Sequence, residues 1–340
     1  MYLNLIVKGF FIGIANIIPG MSGGTIALVL GIYERLIAAL HNIGHSTVHK
    51  LLAVVTLKRS AISEAKAELR RIDFGFLVLL GIGAVIAVAA TSKLIIYLLN
   101  QQHDPTYGFF CGLILTSIIV PAKMLGRFKV KEFISLFIAA ALTVGLAMGM
   151  GEKNLEKAEH KEKLEQTEHK AEPQDVQTAN DSETPPPTTD HSVVRLLYLF
   201  LCGALAISAM ILPGISGSFI LLLLGVYFDI LAAVNNRDIP VLAIFAIGCG
   251  LGLLAFTRLL NYVFEHYRDL TISFLIGLMV GSLYGLWPFR TFETISGERV
   301  DIAHILPQAD MNLLITLLAF LFGSGLILLF YQFERKGVKA

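Results

Sequence analysis

The sequence is poor in charge and in cysteine. Only 16% of its 340 residues are charged, whereas 55% are hydrophobic and the mean hydropathy is +0.70. A water-soluble domain of this length carries more charge and less apolar content. The three cysteines, Cys111, Cys202 and Cys249, lie inside apolar runs without disulfide or metal-ligand spacing. We therefore expect a membrane protein with buried thiols, no metal site and no cofactor.

Apolar runs dominate what is present. Crossing the hydrocarbon core takes about 20 helical residues, and most of the runs reach or approach that length. The run 5–18 is too short and ends at Pro19-Gly20, and Pro213-Gly214 interrupts the run 194–234 in the same way. The other long runs are 21–40, 74–100, 106–122, 132–150, 240–264, 271–287 and 311–331. These lengths predict an all-α polytopic membrane protein with two broken segments.

A polar segment separates two apolar halves. Residues 152–192 contain eleven acidic residues against five lysines, together with Pro173 and the run 185–187 of proline. Such a composition is typical of a solvated linker without a fold of its own. The predicted organisation is a first membrane repeat over 1–150, an acidic disordered linker over 151–192, a second repeat over 193–335 and a short tail over 336–340.

The two halves resemble each other in sequence. The stretch 9–24 aligns without a gap on 203–218, and Leu30-Gly31-Ile32-Tyr33 aligns on Leu224-Gly225-Val226-Tyr227. Further on, Ser92-Lys93-Leu94 aligns on Thr257-Arg258-Leu259. Apolar sequences match easily by chance, but proline, glycine, tyrosine and a basic residue inside a membrane helix do not. The pattern predicts an internal repeat, each copy a broken re-entrant helical hairpin followed by three transmembrane helices.

The basic residues predict the orientation of the halves. They cluster in the segments 41–73 and 123–131 and at the end of the chain. If each broken segment returns to the side it entered from, three crossings per half invert the second copy. All the basic clusters then face the cytoplasm together with both termini, and the acidic linker and the weakly charged loop 288–310 lie outside. An inverted-topology repeat is therefore the expected architecture.

The two breaks are the candidate binding elements. A Pro-Gly pair frees carbonyl groups that cannot face lipid. In transporters, the half-helix beyond such a break directs free N–H groups and a positive dipole end at a ligand. The residues that would form these N-termini and receive an anion such as phosphate or carboxylate are Ser22, Gly23, Gly24 and Thr25 in the first copy and Ser216, Gly217 and Ser218 in the second. The alternative is that each motif is only a tight turn between packed helices.

A few ionisable or polar side chains inside the apolar runs are further candidates. Lys93 and Arg258 occupy matching positions, where a charge is costly enough to suggest neutralisation of an anionic head group. Snorkelling of both side chains to an interface is the alternative. Glu34 and Asp229 are candidates for ion pairs or for a coupling proton, or else they lie in water at helix ends. Asn16 precedes the first break only, and Met210 stands at its equivalent position.

These motifs resemble a known family. The stretch 15–25, the tetrapeptide 31–34 and the stretch 211–218 are similar to those of bacterial polyprenyl-phosphate translocases of the PopT type, formerly classed as a domain of unknown function. The resemblance covers both membrane halves but not the linker. It implies a protein of the bacterial inner membrane that returns undecaprenyl phosphate, the lipid carrier of cell-wall synthesis, from the outer to the cytoplasmic leaflet.

On that resemblance the serine-glycine motifs hold the phosphate, while Lys93 and Arg258 balance its charge. Members of the family usually carry arginine at the position of Lys93, so this chain keeps the charge but lacks a bidentate donor there. The sequence has no nucleotide-binding loop. Uphill movement must then draw on an ion gradient or on consumption of the carrier inside the cell. No nucleic-acid partner is expected, and the oligomeric state, the prenyl chain length and the coupling ion stay open.

Two other classes of protein remain as alternatives. Membrane undecaprenyl-pyrophosphate phosphatases also use inverted repeats and Pro-Gly-x-Ser loops, but their loop carries an arginine and pairs with acidic residues. Gly23-Gly24 stands at that place here, with no acidic pair beside it. The second alternative is a secondary transporter of a small water-soluble anion, which would need a sealed aqueous path instead of a groove open to lipid.

Overall fold

The computed structural model describes residues 2–17, 22–53, 59–126, 129–169, 192–295 and 298–337. The predicted first break, Pro19-Gly20, lies outside these residues, whereas Pro213-Gly214 lies within them. The described helices of the first half are α1 (Tyr2–Ile17), α2 (Gly23–Val29), α3 (Tyr33–His41), α4 (His45–Leu52), α5 (Arg59–Arg71), α6 (Phe74–Gln101), α7 (His103–Ser117), α8 (Ile119–Met124) and α9 (Val130–His169).

Within the described residues, the second half has helices that correspond to α1, α2, α3, α6, α7 and α9, has none that corresponds to α4, α5 or α8, and adds one pair of strands. Its elements are α10 (Val193–Ile211), α11 (Gly217–Leu223), α12 (Tyr227–Asn235), α13 (Ile239–His266), α14 (Arg268–Gly285), β1 (Arg290–Ile295), β2 (Glu298–His304) and α15 (Met311–Gly337). Helix α10 ends where Leu212 becomes extended before Pro213, because the proline ring disfavours a helical residue in front of it.

Six of the described helices are long and apolar enough to cross a membrane. By length and composition these spans lie at 74–91, 103–124, 130–149, 193–211, 239–266 and 311–329. This confirms the predicted all-α polytopic class. Two details differ from the prediction. Helix α10, predicted as one arm of a broken hairpin, is itself long enough to span the membrane. Helix α14 is not among the six, because it begins with the charged pair Arg268-Asp269. Helices α2 and α3 together also have the length and composition of a span, but they are bent by 119° relative to each other, as in a broken span or a re-entrant loop.

Each half packs its first helix along its first long helix. Helix α1 lies along α6 with Gly13 against Ala84 and Ala87, and α10 lies along α13 with Gly252 against Ala204. Small residues at such contacts let two helix backbones approach closely, which is how helices associate inside a bilayer. In both pairs the residue numbers rise together, so the paired helices run parallel.

The last helix of each half packs on the other half. Helix α15 lies along α7, where Gly112 faces the backbone of Phe320, and α9 lies along α14, where Gly277 faces the backbone of Leu136. The two halves are thus interlocked by exchanged helices and form one helical body.

Contacts between the segments that connect the helices show which of these segments lie at the same end of the molecule. At one end, Arg35 of α3 pairs with Asp73 before α6 at 2.7 Å, and the Asp269 carboxylate of α14 accepts from the Gly126 N–H at 3.1 Å. We call this the basic end, because it carries the cationic segments around α4–α5 and α8–α9. At the opposite end, which we call the strand end, Arg290 of β1 lies over the ring of Tyr107 near the start of α7.

Two predictions about connecting segments need correction. The segment 151–192 was expected to have no regular structure, but α9 continues through its first part to His169. Residues 151–169 are rich in Ala, Leu, Glu, Lys and Gln, whose high helix propensity extends the helix beyond the apolar span. Residues 170–191 lie outside the described residues. The segment 288–310, expected to be a loop, contains the antiparallel strands β1 and β2.

A buried carboxylate fastens the helical pair α4–α5 at the basic end. Glu68 is 2% exposed and accepts hydrogen bonds from Thr47 at 2.6 Å, from Lys50 at 3.1 Å and from Arg71 at 2.5 Å. The hydrogen bonds from Arg71 and Thr47 hold the pKa of Glu68 at about 2, well below its usual value. Arg71 also donates to the carbonyl of Asn42 at 2.6 Å, so the pair is tied to the end of α3.

Candidate functional site

The first serine-glycine loop caps its own half-helix. Ser22 has extended dihedral angles and is the N-cap of α2, and its hydroxyl accepts from the N–H of Gly24 at 3.1 Å. The side-chain oxygen of Asn16, at the end of α1, accepts from the N–H of Gly23 at 3.0 Å. Two of the N–H groups that an α-helix leaves unpaired at its start are therefore satisfied by the protein itself.

The same loop is pressed against the end of α10. The Ser22 hydroxyl donates to the carbonyl of Met210 at 2.9 Å, and the Tyr33 hydroxyl donates to the carbonyl of Ile211 at 3.3 Å. In return, the hydroxyl oxygen of Thr25 accepts from the N–H of Gly214 at 3.0 Å. The first hairpin thus satisfies backbone groups that the second break sets free, and residues 22–25 lie in direct contact with that break.

This contact buries the first loop. Ser22 is 2% exposed and Thr25 is fully buried, and Gly23 and Gly24 are buried between them. A Cβ atom at Gly24 would overlap the carbonyl oxygen of Ile211, so only glycine allows the backbones to approach this closely. In this conformation the polar groups of residues 22–25 are used within the fold and do not face a ligand.

The second serine-glycine loop is open. Ser216 is the N-cap of α11 but its side chain makes no capping hydrogen bond; its hydroxyl instead lies 2.8 Å from that of Ser218. Ser216 and Gly217 are partly exposed and Ser218 is exposed. Among the described residues, the N–H groups of Gly217 and Ser218 have no acceptor. Two hydroxyls and two N–H groups are therefore available together at one helix start.

Lys93 and Arg258 lie at the depth of the breaks but do not contact the loops through polar groups. Lys93 lies nearly two turns beyond Ala87, which contacts Gly13 of α1. Arg258 lies the same distance beyond Gly252, which contacts Ala204 of α10. Both residues are therefore level with the ends of α1 and α10. Both side chains are exposed, and the Arg258 guanidinium lies beside Gly44 near the basic end. Within the described part of the chain, neither forms a hydrogen bond or an ion pair.

The two candidate acids pair with arginines that the sequence did not single out. Glu34 lies 3.3 Å from Arg268, and Asp229 forms an ion pair with Arg195. Both acids are substantially exposed, and neither is paired with Lys93 or Arg258. The Glu34–Arg268 pair joins the first broken hairpin to the start of α14 in the other half.

Two further residues of the site escaped the sequence analysis. The Lys8 ammonium donates to the carbonyl of Leu30 at 2.8 Å, where α2 ends and its dipole is negative. Tyr33 is 1% exposed and binds the end of α10. A signal for each was present: Lys8 is a cation inside the apolar run 5–18, and Tyr33 recurs in the second copy as Tyr227.

Comparison with known proteins identifies relatives over most of the chain. Residues 12–302 match the model of the undecaprenyl phosphate translocase-like family. A polyprenyl-phosphate transporter of Vibrio cholerae serotype O1 is 34% identical over 312 residues, which are 92% of this chain and 85% of that protein. A polyprenyl-phosphate transporter of Staphylococcus aureus is 30% identical over 293 residues, 83% of this chain and 85% of that protein. No solved structure gives a significant match.

Proposed function

Since the chain belongs to the undecaprenyl phosphate translocase-like family and is a multi-pass membrane transporter, not an enzyme, we propose that it moves a polyprenyl phosphate across the membrane. The substrate we propose is undecaprenyl phosphate, returned from the outer to the cytoplasmic leaflet of the bacterial inner membrane for reuse in cell-wall glycan synthesis. The relatives named as polyprenyl-phosphate transporters support this substrate class.

The observation that carries the proposal is the open second loop. A phosphate needs several donors in one place, and the hydroxyls of Ser216 and Ser218 with the N–H groups of Gly217 and Ser218 provide them. The closed first loop supports this site from the protein side, because the Thr25 hydroxyl accepts from the N–H of Gly214, two residues before Ser216. A helix start that is open, polar and set among apolar helices suits an anionic head joined to an apolar tail.

We further propose that the two loops alternate. In this conformation residues 216–218 face the substrate while residues 22–25 are sealed; in the opposite conformation the first loop opens and Ser22, Gly23, Gly24 and Thr25 take the phosphate. Lys93 and Arg258 would neutralise the head group as it passes. Their exposure at the depth of the breaks supports this role.

The contacts between connections support the inverted arrangement. Segments 41–73 and 125–129 and the start of α14 share the basic end, whereas the start of α7 and the strands share the other. Placing the basic end in the cytoplasm satisfies the preference of lysine and arginine for that side. Both termini then lie inside and the acidic segment after α9 lies outside. Residues 1–150 and 193–335 are accordingly proposed as two oppositely oriented repeats.

The test is transport by purified protein in liposomes that contain undecaprenyl phosphate, with head-group accessibility followed from each side. We expect the double variant Ser216→Ala, Ser218→Ala to lower the flipping rate by roughly ten- to a hundred-fold, because hydrogen bonds to a charged group contribute about 1.5–3 kcal/mol. Lys93→Ala combined with Arg258→Ala should also slow flipping. The matched control is Ser208→Ala in α10, whose hydroxyl only bonds the carbonyl of Ala204 within its own helix.

Wild-type protein that flips the lipid no faster than empty liposomes would refute the proposed function. Release of inorganic phosphate from undecaprenyl pyrophosphate would instead indicate a phosphatase, and uptake of free phosphate would indicate a small-anion transporter. Flipping that survives in both double variants would leave the function in place and remove the residues from the site.

A further inference from the structure

A cavity of about 400 Å³ lies between α1, α2, α6, α7 and α15. It starts where Ala15 near the end of α1 and Ile26 of α2 line it, and it reaches Gln102 directly after α6 at the strand end. From Ile95 to Gln102 the α6 wall extends about 10 Å along the helix axis. The volume is in the range of pockets that hold small ligands, about 300–1,000 Å³.

The wall of the cavity is apolar. Among the described residues that line it, only Thr106 and Gln102 have polar side chains. The Thr106 hydroxyl donates to the backbone carbonyl of Gln102 at 2.5 Å, so it is already satisfied, and the Gln102 side chain is exposed at the mouth. A polar or charged group inside would lose its hydrogen bonds to water without replacement. The cavity is therefore suited to hydrocarbon and excludes a phosphate.

Aromatic rings keep the cavity open. Phe109 and Phe110, on consecutive positions of α7, both line it, and their rings meet edge-on with centroids 5.0 Å apart. Phe109 is also packed against Phe322 of α15 at 5.9 Å. Rings fixed from two sides cannot collapse into the space as a flexible side chain would, so the cavity is preformed.

We propose that this cavity receives the prenyl tail of the lipid. The part of the tail that it holds is the part nearest the head group when the phosphate is at the breaks. The inference rests on the proposed function, since it takes the occupant from a polyprenyl-phosphate substrate. Ile26, the residue after Thr25, lines the cavity, and the Thr25 hydroxyl accepts from the N–H of Gly214 two residues before Ser216, so a head group at the second loop lies near the first-loop end of the cavity. The protein thereby recognises a prenyl tail as well as a phosphate.

The expected effect on affinity is moderate. Moving a tail from the bilayer into an apolar cavity gains no hydrophobic free energy, because lipid chains are as apolar as leucine. The gain comes from close van der Waals contact with the fixed rings. We expect that filling the cavity weakens binding of a prenylated substrate by about three- to ten-fold and leaves binding of a phosphate without a prenyl tail unchanged.

The experiment measures binding of undecaprenyl phosphate and of methyl phosphate, which has no prenyl tail, to the full chain in nanodiscs. Two variants fill the cavity from different walls, Ala15→Leu in α1 and Leu98→Trp in α6. Their controls make the same changes at exposed positions, Ala90→Leu in α6 and Leu251→Trp in α13. Size-exclusion chromatography and thermal unfolding identify the filled variants that fold, and Leu98, being only partly buried, is the more tolerant position.

The proposal would be supported if the filled variants, but not their controls, bind undecaprenyl phosphate more weakly while their binding of methyl phosphate stays unchanged. Unchanged binding of the long lipid in a folded filled variant would overturn it while the proposed function stands. Loss of copurified phospholipid without any change in undecaprenyl phosphate binding would also overturn it and assign the cavity to a bilayer acyl chain. If wild-type protein does not bind undecaprenyl phosphate, the proposed function itself fails.

Discussion

The two serine-glycine loops have matching sequences and opposite surroundings. In the first, the Ser22 hydroxyl is buried and bonded to α10, and in the second, the Ser216 hydroxyl is partly exposed and touches only the neighbouring Ser218. The N–H of Gly24 is capped by Ser22, while that of its counterpart Ser218 has no acceptor within the described residues. One loop thus holds the fold together, and the other faces outward.

This difference shows that a sequence repeat determines the local backbone conformation of each loop more strongly than it determines which residues surround the loop. Both motifs start a seven-residue helix directly after a serine. The partner that each polar group then bonds depends on a neighbour far away in the chain. A transporter that exchanges the two environments during its cycle needs two loops of similar local geometry, and Gly24, where the second loop has Ser218, is the position at which the sealed first loop requires glycine.

The largest expected effect comes from exchanging the residues that differ between the loops. Gly24→Ser gives the first loop the residue of the second and places a Cβ into the carbonyl of Ile211, so we expect a loss of about 3 kcal/mol or failure to fold. The reverse exchange, Ser218→Gly, changes an exposed position and should alter stability by no more than about 1 kcal/mol. Thermal unfolding in detergent measures both.

Equal stability losses in the two exchange variants would contradict the asymmetry of the loops. Gly75→Ser in α6 is the control for adding a side chain to a helical glycine, because no atom lies within 4 Å of a Cβ there.

A smaller effect should separate the two serines. Ser22→Ala removes both the cap of Gly24 and the donor to Met210, leaving buried backbone groups unpaired, and it should cost about 1–3 kcal/mol of stability. Ser216→Ala removes an exposed hydroxyl and should change stability by less than about 0.5 kcal/mol. Unfolding curves of the two single variants, recorded under identical conditions, give the comparison. A Ser216→Ala variant as unstable as Ser22→Ala would mean that the second loop is also structural.

Local features of this molecule are readable in the sequence. Apolar runs of membrane-spanning length predict the helices, and Ser22 followed by two glycines predicts the start of α2 at Gly23. These signals act over one or two turns, so a single stretch of sequence contains them. The repeat indicates two equivalent loops, and in the structure Thr25 of the first loop accepts from the N–H of Gly214 at the second break.

The different surroundings of the two loops could not be predicted from the sequence, because they depend on contacts between residues far apart in the chain. The partner of Ser22 is 188 residues away at Met210, and nothing near either residue encodes that distance. Glu34 likewise pairs with Arg268 across the two halves. The helix at 151–169 was missed because composition alone suggested disorder, although the residues have high helix propensity.

The smallest effect concerns the connection after each broken hairpin. Only three residues, 236–238, separate α12 from α13, whereas the first hairpin leads into the pair α4–α5, fastened by Glu68. The pKa of Glu68 is about 2 in the folded protein, below the ordinary value of 4.5. Its carboxylate therefore stabilises the docked pair above about pH 4.5, and this contribution disappears as the pH falls toward 2. For one proton, the opening equilibrium rises by up to about ten-fold per pH unit in that window.

Hydrogen exchange of α4 and α5 across this pH range measures the opening, after correction for the pH dependence of the chemical exchange rate. Glu68→Gln should expose the pair already at neutral pH and remove the transition, because the amide cannot form the ion pair with Arg71. Glu64→Gln, an exposed position on the same helix, should keep the wild-type profile. A transition that persists in Glu68→Gln would assign the pH dependence to another group and leave the docking of α4–α5 to Thr47, Lys50 and the packing of the helices.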